Sequence, residues 1–181
     1  MWCNGGKELG WSNPPGLPAD EAPFQRLRLA WAFLLSSPGV PLIYYGDELG
    51  SPGAGDPDNR RMMQFAPGTS PAQQATLEVV RRLLAARQAH PAMRVGARRT
   101  LQLDADGLLW AYALEAGGDF AVVVLNRAPG PRTCALDLSA LALPDGLILD
   151  EVIAGGQGSV QAGSLAVTLP GRTAGVWVAR P

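Results

Sequence analysis

The chain has 181 residues, 47% of them apolar and 17% charged, which is the composition of a globular protein and not of a disordered one. Its formal net charge of −1 gives no electrostatic footprint for DNA, RNA or anionic lipid, so neither nucleic acid nor membrane is an expected partner. One histidine, His90, and two distant cysteines, Cys3 and Cys134, exclude a His-based triad or a multi-histidine metal site built from this chain alone; no metal and no other cofactor is expected.

Residues 1–19 read as an irregular Gly- and Pro-rich loop carrying Trp2, Trp11 and Pro14-Pro15. They lack the basic start and apolar core of a signal peptide, and no stretch reaches the ~18–20 uninterrupted apolar residues that span a bilayer. The chain reads as soluble, with its compartment and a Cys3 to Cys134 disulfide both left open. Asp20 is placed as an N-cap. A helix over 21–37 then presents Leu27, Trp31, Leu34 and Leu35, and Ser37-Pro38-Gly39 ends it.

Residues 40–45, VPLIYY, form an apolar run without alternation. That pattern predicts a strand buried on both faces, as in a parallel sheet. Gly46 stops the run, Asp47 and Glu48 follow at once, and a Gly-, Ser- and Pro-rich loop carries Asp56, Asp58, Arg60 and Arg61. Charged groups just past the carboxyl end of a buried parallel strand lie where α/β folds place their ligand sites.

A second helix is expected from Ser70 as cap and Pro71 as first helical residue to an exit at His90-Pro91. Val79, Val80, Leu83, Leu84 and Ala86 recur at helical steps, with Arg81, Arg82 and Arg87 on the wetter side. Helix, buried strand, loop and helix together make a parallel α/β unit. Beyond Pro91, short alternating runs separated by turn signals predict strands at 98–103, 107–115, 119–126, 132–138, 147–153, 158–161, 164–169 and 174–179. Such spacing predicts an antiparallel sandwich or barrel. One buried parallel strand with two helices cannot complete a sheet, so residues 1–92 read as part of something larger or as dependent on a partner.

These residues carry a family resemblance. The run PGVPLIYYGDELG, from Pro38 to Gly50, resembles the strand-eight signature of the α-amylase family of glycoside hydrolases, and Asp56-Pro57-Asp58-Asn59-Arg60 resembles its D-P-x-x-R loop. The exit Arg87-Gln88-Ala89-His90-Pro91 is similar to the end of the last barrel helix. Leu109-Trp110-Ala111-Tyr112 and residues 122–127 are similar to the C-terminal β-sandwich. The resemblance implies an α/β incomplete TIM-barrel end at 20–93 followed by an all-β antiparallel sandwich at 97–181. It also implies an α-glucan or α-glucoside oligosaccharide as ligand. Asp56 and Arg60 would contact the sugar, Tyr44, Tyr45 and Glu48 would build the site's floor, and the missing N-terminal part of the barrel would be the partner. The family is one of retaining enzymes that hydrolyse or transfer α-glucosidic bonds with a carboxylate nucleophile and a carboxylic acid, plus a third carboxylate in an Asn-His-Asp motif. No Asn-His-Asp occurs in this sequence, and nothing upstream of residue 20 supplies the strands that carry the other two. No catalytic residue is therefore expected here, and the chain alone is expected to be inactive.

Plainer readings stand beside these. Asp47 and Glu48 leave the strand in different directions and are poorly placed to flank one bond, so Glu48 reads as bracing its loop through backbone hydrogen bonds. Asp56 and Arg60, four apart, also suit a simple ion pair. Asp58 and Arg61 read as solvated or loop-bracing, His90 as a helix-end cap, and Asp104 with Asp106 as a hairpin turn. Trp110 and Tyr112 share a strand face and could stack on sugar, but at that spacing core packing is the preferred reading. A non-catalytic carbohydrate-binding or scaffold protein derived from the same fold remains the alternative function.

Overall fold

The structure, a computed structural model, describes residues 12–180. Ahead of the strands, the described residues include the helices α1 (Glu21–Ser36), α2 (Pro71–Ala89) and the short α3 (Ala92–Val95). Eight strands follow: β1 (Ala97–Leu103), β2 (Leu109–Ala116), β3 (Asp119–Asn126), β4 (Arg132–Asp137), β5 (Ile148–Glu151), β6 (Gly156–Gln161), β7 (Ser164–Leu169) and β8 (Thr173–Ala179). Every described pairing is antiparallel, in the spatial order β1-β2-β3-β8-β5-β6-β7-β4. The strands lie within two residues of the bounds that the turn residues predict, although β3 does not alternate.

β6 explains how one ladder makes two layers. Its start pairs with β5 and its end, through Val160 and Gln161, with β7. Arg132 closes the open side by reaching Asp104, at 3.2 Å, and Asp106 in the β1–β2 turn. Between the layers lies one core, built on Leu109, Ala111, Val122, Val124, Leu136, Val160, Leu165 and Trp177. Cys134 belongs to this core and its burial pushes the thiol pKa up; Cys3, with the suggested disulfide, lies outside the described residues, as do Trp2 and Trp11.

The other face of β2, β3 and β8 is covered by the helices. Tyr112, Leu114, Val123, Leu125, Val176 and Val178 meet Trp31, Leu35, Val80, Leu83 and Met93 in a second core. β3 is therefore buried on both faces, which is why its sequence, FAVVVL, does not alternate. Polar seams fix the docking. Ser36 Oγ lies 2.6 Å from the Tyr112 hydroxyl, and His90 Nδ1 lies 2.9 Å from Asp119 Oδ1 while Asp119 Oδ2 accepts the Ala92 N–H at 2.8 Å. The Arg98 guanidinium sits 4.7 to 5.6 Å from the ring centres of Tyr112, Phe33 and Trp110. Tyr112 is fully buried, so its ring serves packing.

The sequence signals for α2 correspond to real chemistry. Ser70 Oγ accepts the Gln73 N–H and Gln73 Oε1 accepts the Ser70 N–H, a reciprocal capping box, with Pro71 opening the helix. Asp20 occupies the N-cap position of α1 without a side-chain cap bond.

Two expectations are corrected. Residues 40–45 form no strand, Tyr45 already belonging to a turn, and Val40 and Leu42 are 98% and 84% exposed. A strand needs neighbours for its backbone N–H and C=O groups, and none of the eight described strands pairs with this segment. Its side chains still alternate: Ile43 packs on the helix core, while Val40, Leu42 and Tyr44 face out. Arg87, expected on the wet side of α2, is only 5% exposed, because backbone carbonyls gather around its guanidinium.

Candidate functional site

The loop beyond residue 45 is shaped by two glycines and one tryptophan. Gly46 (φ 89°) and Gly50 (φ 63°) both adopt left-handed backbone and bracket a short turn of 3-10 helix, Asp47–Leu49. The Trp31 indole N–H donates to the Asp47 carbonyl at 3.3 Å, tying that turn to α1, and Leu49 is buried beneath it. Glu48 Oε2 accepts the Gly46 N–H at 2.8 Å, a hydrogen bond that closes the bend on itself.

The two acid–base pairs in the following loop differ in kind. Arg61 grips Asp58 with a two-pronged contact, Nε to Oδ1 at 2.8 Å and Nη2 to Oδ2 at 2.7 Å. Asp58 Oδ2 also accepts the Ala54 N–H, and Arg61 Nη1 donates to the Pro15 carbonyl. The Arg61 hydrogen bonds, then the Ala54 N–H, hold the Asp58 carboxyl below the usual carboxylate range. This pair braces the loop. Arg60 and Asp56 meet at 2.8 Å as well, but their side chains are 67% and 57% exposed. They carry donors and acceptors that a ligand can reach.

Tyr44 and Tyr45 pack on each other at the stem of the loop, ring centres 4.7 Å apart and tilted by 36°, and Tyr45 feels the charge of Arg60. A cleft of about 730 Å³ runs below, between Phe24, Leu27 and Trp31 of α1 and Leu42, Tyr44, Tyr45 and Asn59 of the loop. Desolvation, then the Tyr44 hydroxyl, pushes the Tyr45 phenol pKa up, and burial does the same for Asp47. The Asn59 Oδ1 is buried without a partner. Among the described residues no group of His, Cys, Asp and Glu could hold a metal ion.

Of the residues singled out in the sequence, Tyr44 and Tyr45 line the cleft, while Glu48, Asp56 and Arg60 lie on the same loop outside its lining. Of the carboxylates, Glu48 and Asp58 are occupied by the loop's own backbone, and Asp56 faces solvent beside Arg60. Such an arrangement can hydrogen-bond and stack on a polyhydroxylated ligand. Sequence reading passed over Trp31 and Asn59 as site-shaping residues. Trp31 read as core, and nothing in the motif marks an asparagine whose oxygen lacks a partner.

No family model matches the chain. A cyclomaltodextrin glucanotransferase of Bacillus licheniformis is 35% identical over 127 residues, covering 70% of this chain and 17% of that enzyme. Among solved structures, an α-amylase from Anoxybacillus superposes with a TM-score of 0.73 at 28% identity, covering 88% of this chain and 33% of that one. A debranching enzyme of Nostoc punctiforme, in crystals soaked with acarbose, gives 0.64 at 28% identity, over 84% of this chain and 28% of that one. The chain thus spans about a fifth of the length of the curated relatives it matches. Sequence and structure agree that it belongs to the α-amylase family of glycoside hydrolases.

Proposed function

We propose that the chain is the C-terminal part of an α-amylase-family enzyme that hydrolyses or transfers α-glucosidic bonds in α-glucans. Residues 20–93 would form the end of the barrel and residues 97–181 its sandwich, after an irregular loop at 1–19. Asp56 and Arg60 would bind sugar hydroxyls, on a floor built by Tyr44, Tyr45 and Glu48. The catalytic carboxylates would come from the part of the barrel that this chain does not supply. One observation carries this reading: residues 40–45 pair with no described strand and leave Val40, Leu42 and Tyr44 exposed. A soluble protein rarely leaves such a face bare unless something covers it. The acarbose-soaked relative, an enzyme of the same family, supports an oligosaccharide as ligand.

The test is a hybrid in which this chain follows the first seven βα units of an α-amylase-family enzyme. Asp56→Ala and Arg60→Ala each remove a charge-assisted hydrogen bond worth about 1.5–3 kcal/mol. Each should raise KM for maltooligosaccharides by roughly ten-fold or more, with a smaller change in kcat. An unchanged KM in both variants would remove these residues from the sugar site.

A further inference from the structure

Arg87 is a buried cation with no carboxylate partner among the described residues. Its Nη1 donates to the carbonyl oxygens of Leu35 and Ser37, each at 2.8 Å, and of Met93, while Nη2 donates to the carbonyl of Gly39. These acceptors come from the end of α1, the turn after it, and α3. Helix C-termini present partial negative charge, so converging ends can hold a guanidinium without an acid. Burial, then the charge of Arg94, pushes the pKa of Arg87 down. The contacts on the carbonyls hold the group in place nonetheless.

Gly39 is the point where this network meets the segment that carries the loop. Its carbonyl is taken by Arg87, and its N–H donates to the Arg94 carbonyl at 2.9 Å. Its φ of 112° suits only glycine. Arg94 in turn donates to the carbonyls of Arg87 and Gln88, closing the circuit onto α2. Among the described residues, the segment from residue 40 to 45 has no strand neighbour to guide it. The direction of the segment is therefore set where it starts.

We propose that Arg87 is a positioning residue that fixes how residues 40–45 leave the helix pair, and so where the loop bearing Asp56 and Arg60 stands. Its consequence for sugar rests on the reading above, but its test needs no sugar, so the two can fail separately. The experiment uses the full chain, labelled with ¹⁵N, as wild type, Arg87→Lys and Arg87→Met. Backbone order is read at Gly39, Val40 and Ile43 and in α1 and α2. Both variants should keep helical order near 0.85, while the Gly39, Val40 and Ile43 values fall below about 0.6. Free guanidinium at millimolar concentration should restore them in Arg87→Met and leave wild type unchanged. Lysine cannot span carbonyls on both sides of the turn with one ammonium, so Arg87→Lys carries the test if Arg87→Met fails to fold. Order that is unchanged in the variants, or lost equally in segment and helices with no recovery in guanidinium, would overturn the proposal.

Discussion

At the scale of single residues, the two acid–base pairs of the loop show what spacing can and cannot say. Asp56 with Arg60 and Asp58 with Arg61 look alike in the sequence. In the structure one pair is exposed and reachable, while the other is built into the loop by Ala54 and Pro15. The difference depends on backbone groups, which no residue pattern reports. It has a consequence in pH. The folded pKa of Asp58 is depressed below its unfolded value of about 3.9. Its stabilising contribution is therefore complete above that value and is lost as pH falls through the folded one. The Ala54 amide should stay protected from hydrogen exchange at pH ~5 and lose protection only well below pH ~4, while α1 and α2 amides stay protected. Asp58→Asn should abolish that pH dependence. Loosening that begins above pH ~5 would show that some other group titrates.

Elements differ in how much of them a sequence displays. α2 was legible because its start is written in local chemistry, with Ser70, Pro71 and Gln73 closing a capping box within four residues. The strands were legible because their turns contain the glycines that tight reversals need, such as Gly107 (φ 65°) and Gly163 (φ 72°). Residues 40–45 misled because apolarity records a need for burial and not the presence of a partner. Arg87 misled for a related reason: helical period gives its side but not the carbonyls it meets there. The corrected segment makes a measurable prediction. In this chain Leu42→Ser should change unfolding free energy by no more than about 0.5 kcal/mol, as for an exposed position. A leucine in a strand buried on both faces would cost about 2–5 kcal/mol when truncated. Denaturant unfolding separates the two, and a loss in the larger range would mean that residues 40–45 are covered in solution.

Across the whole molecule, the central sheet holds the parts together. β2, β3 and β8 present one face to the second layer and the other to the helices, so the helices owe their burial to strands that follow them in sequence. Ser36 with Tyr112, His90 with Asp119, and Arg98 among its rings fix that docking with polar contacts. Leu42 and Tyr44 border the cleft beside α1 yet remain exposed, and the loop with Asp56 and Arg60 follows them in the chain. On the proposed reading, this family member would hold a sugar-binding loop while the reaction's carboxylates would lie elsewhere. The most direct test is release of reducing ends from maltooligosaccharides by the purified chain. The account predicts none at any protein concentration. Release that scales with the amount of chain would contradict it, because catalytic carboxylates would then have to lie within these residues.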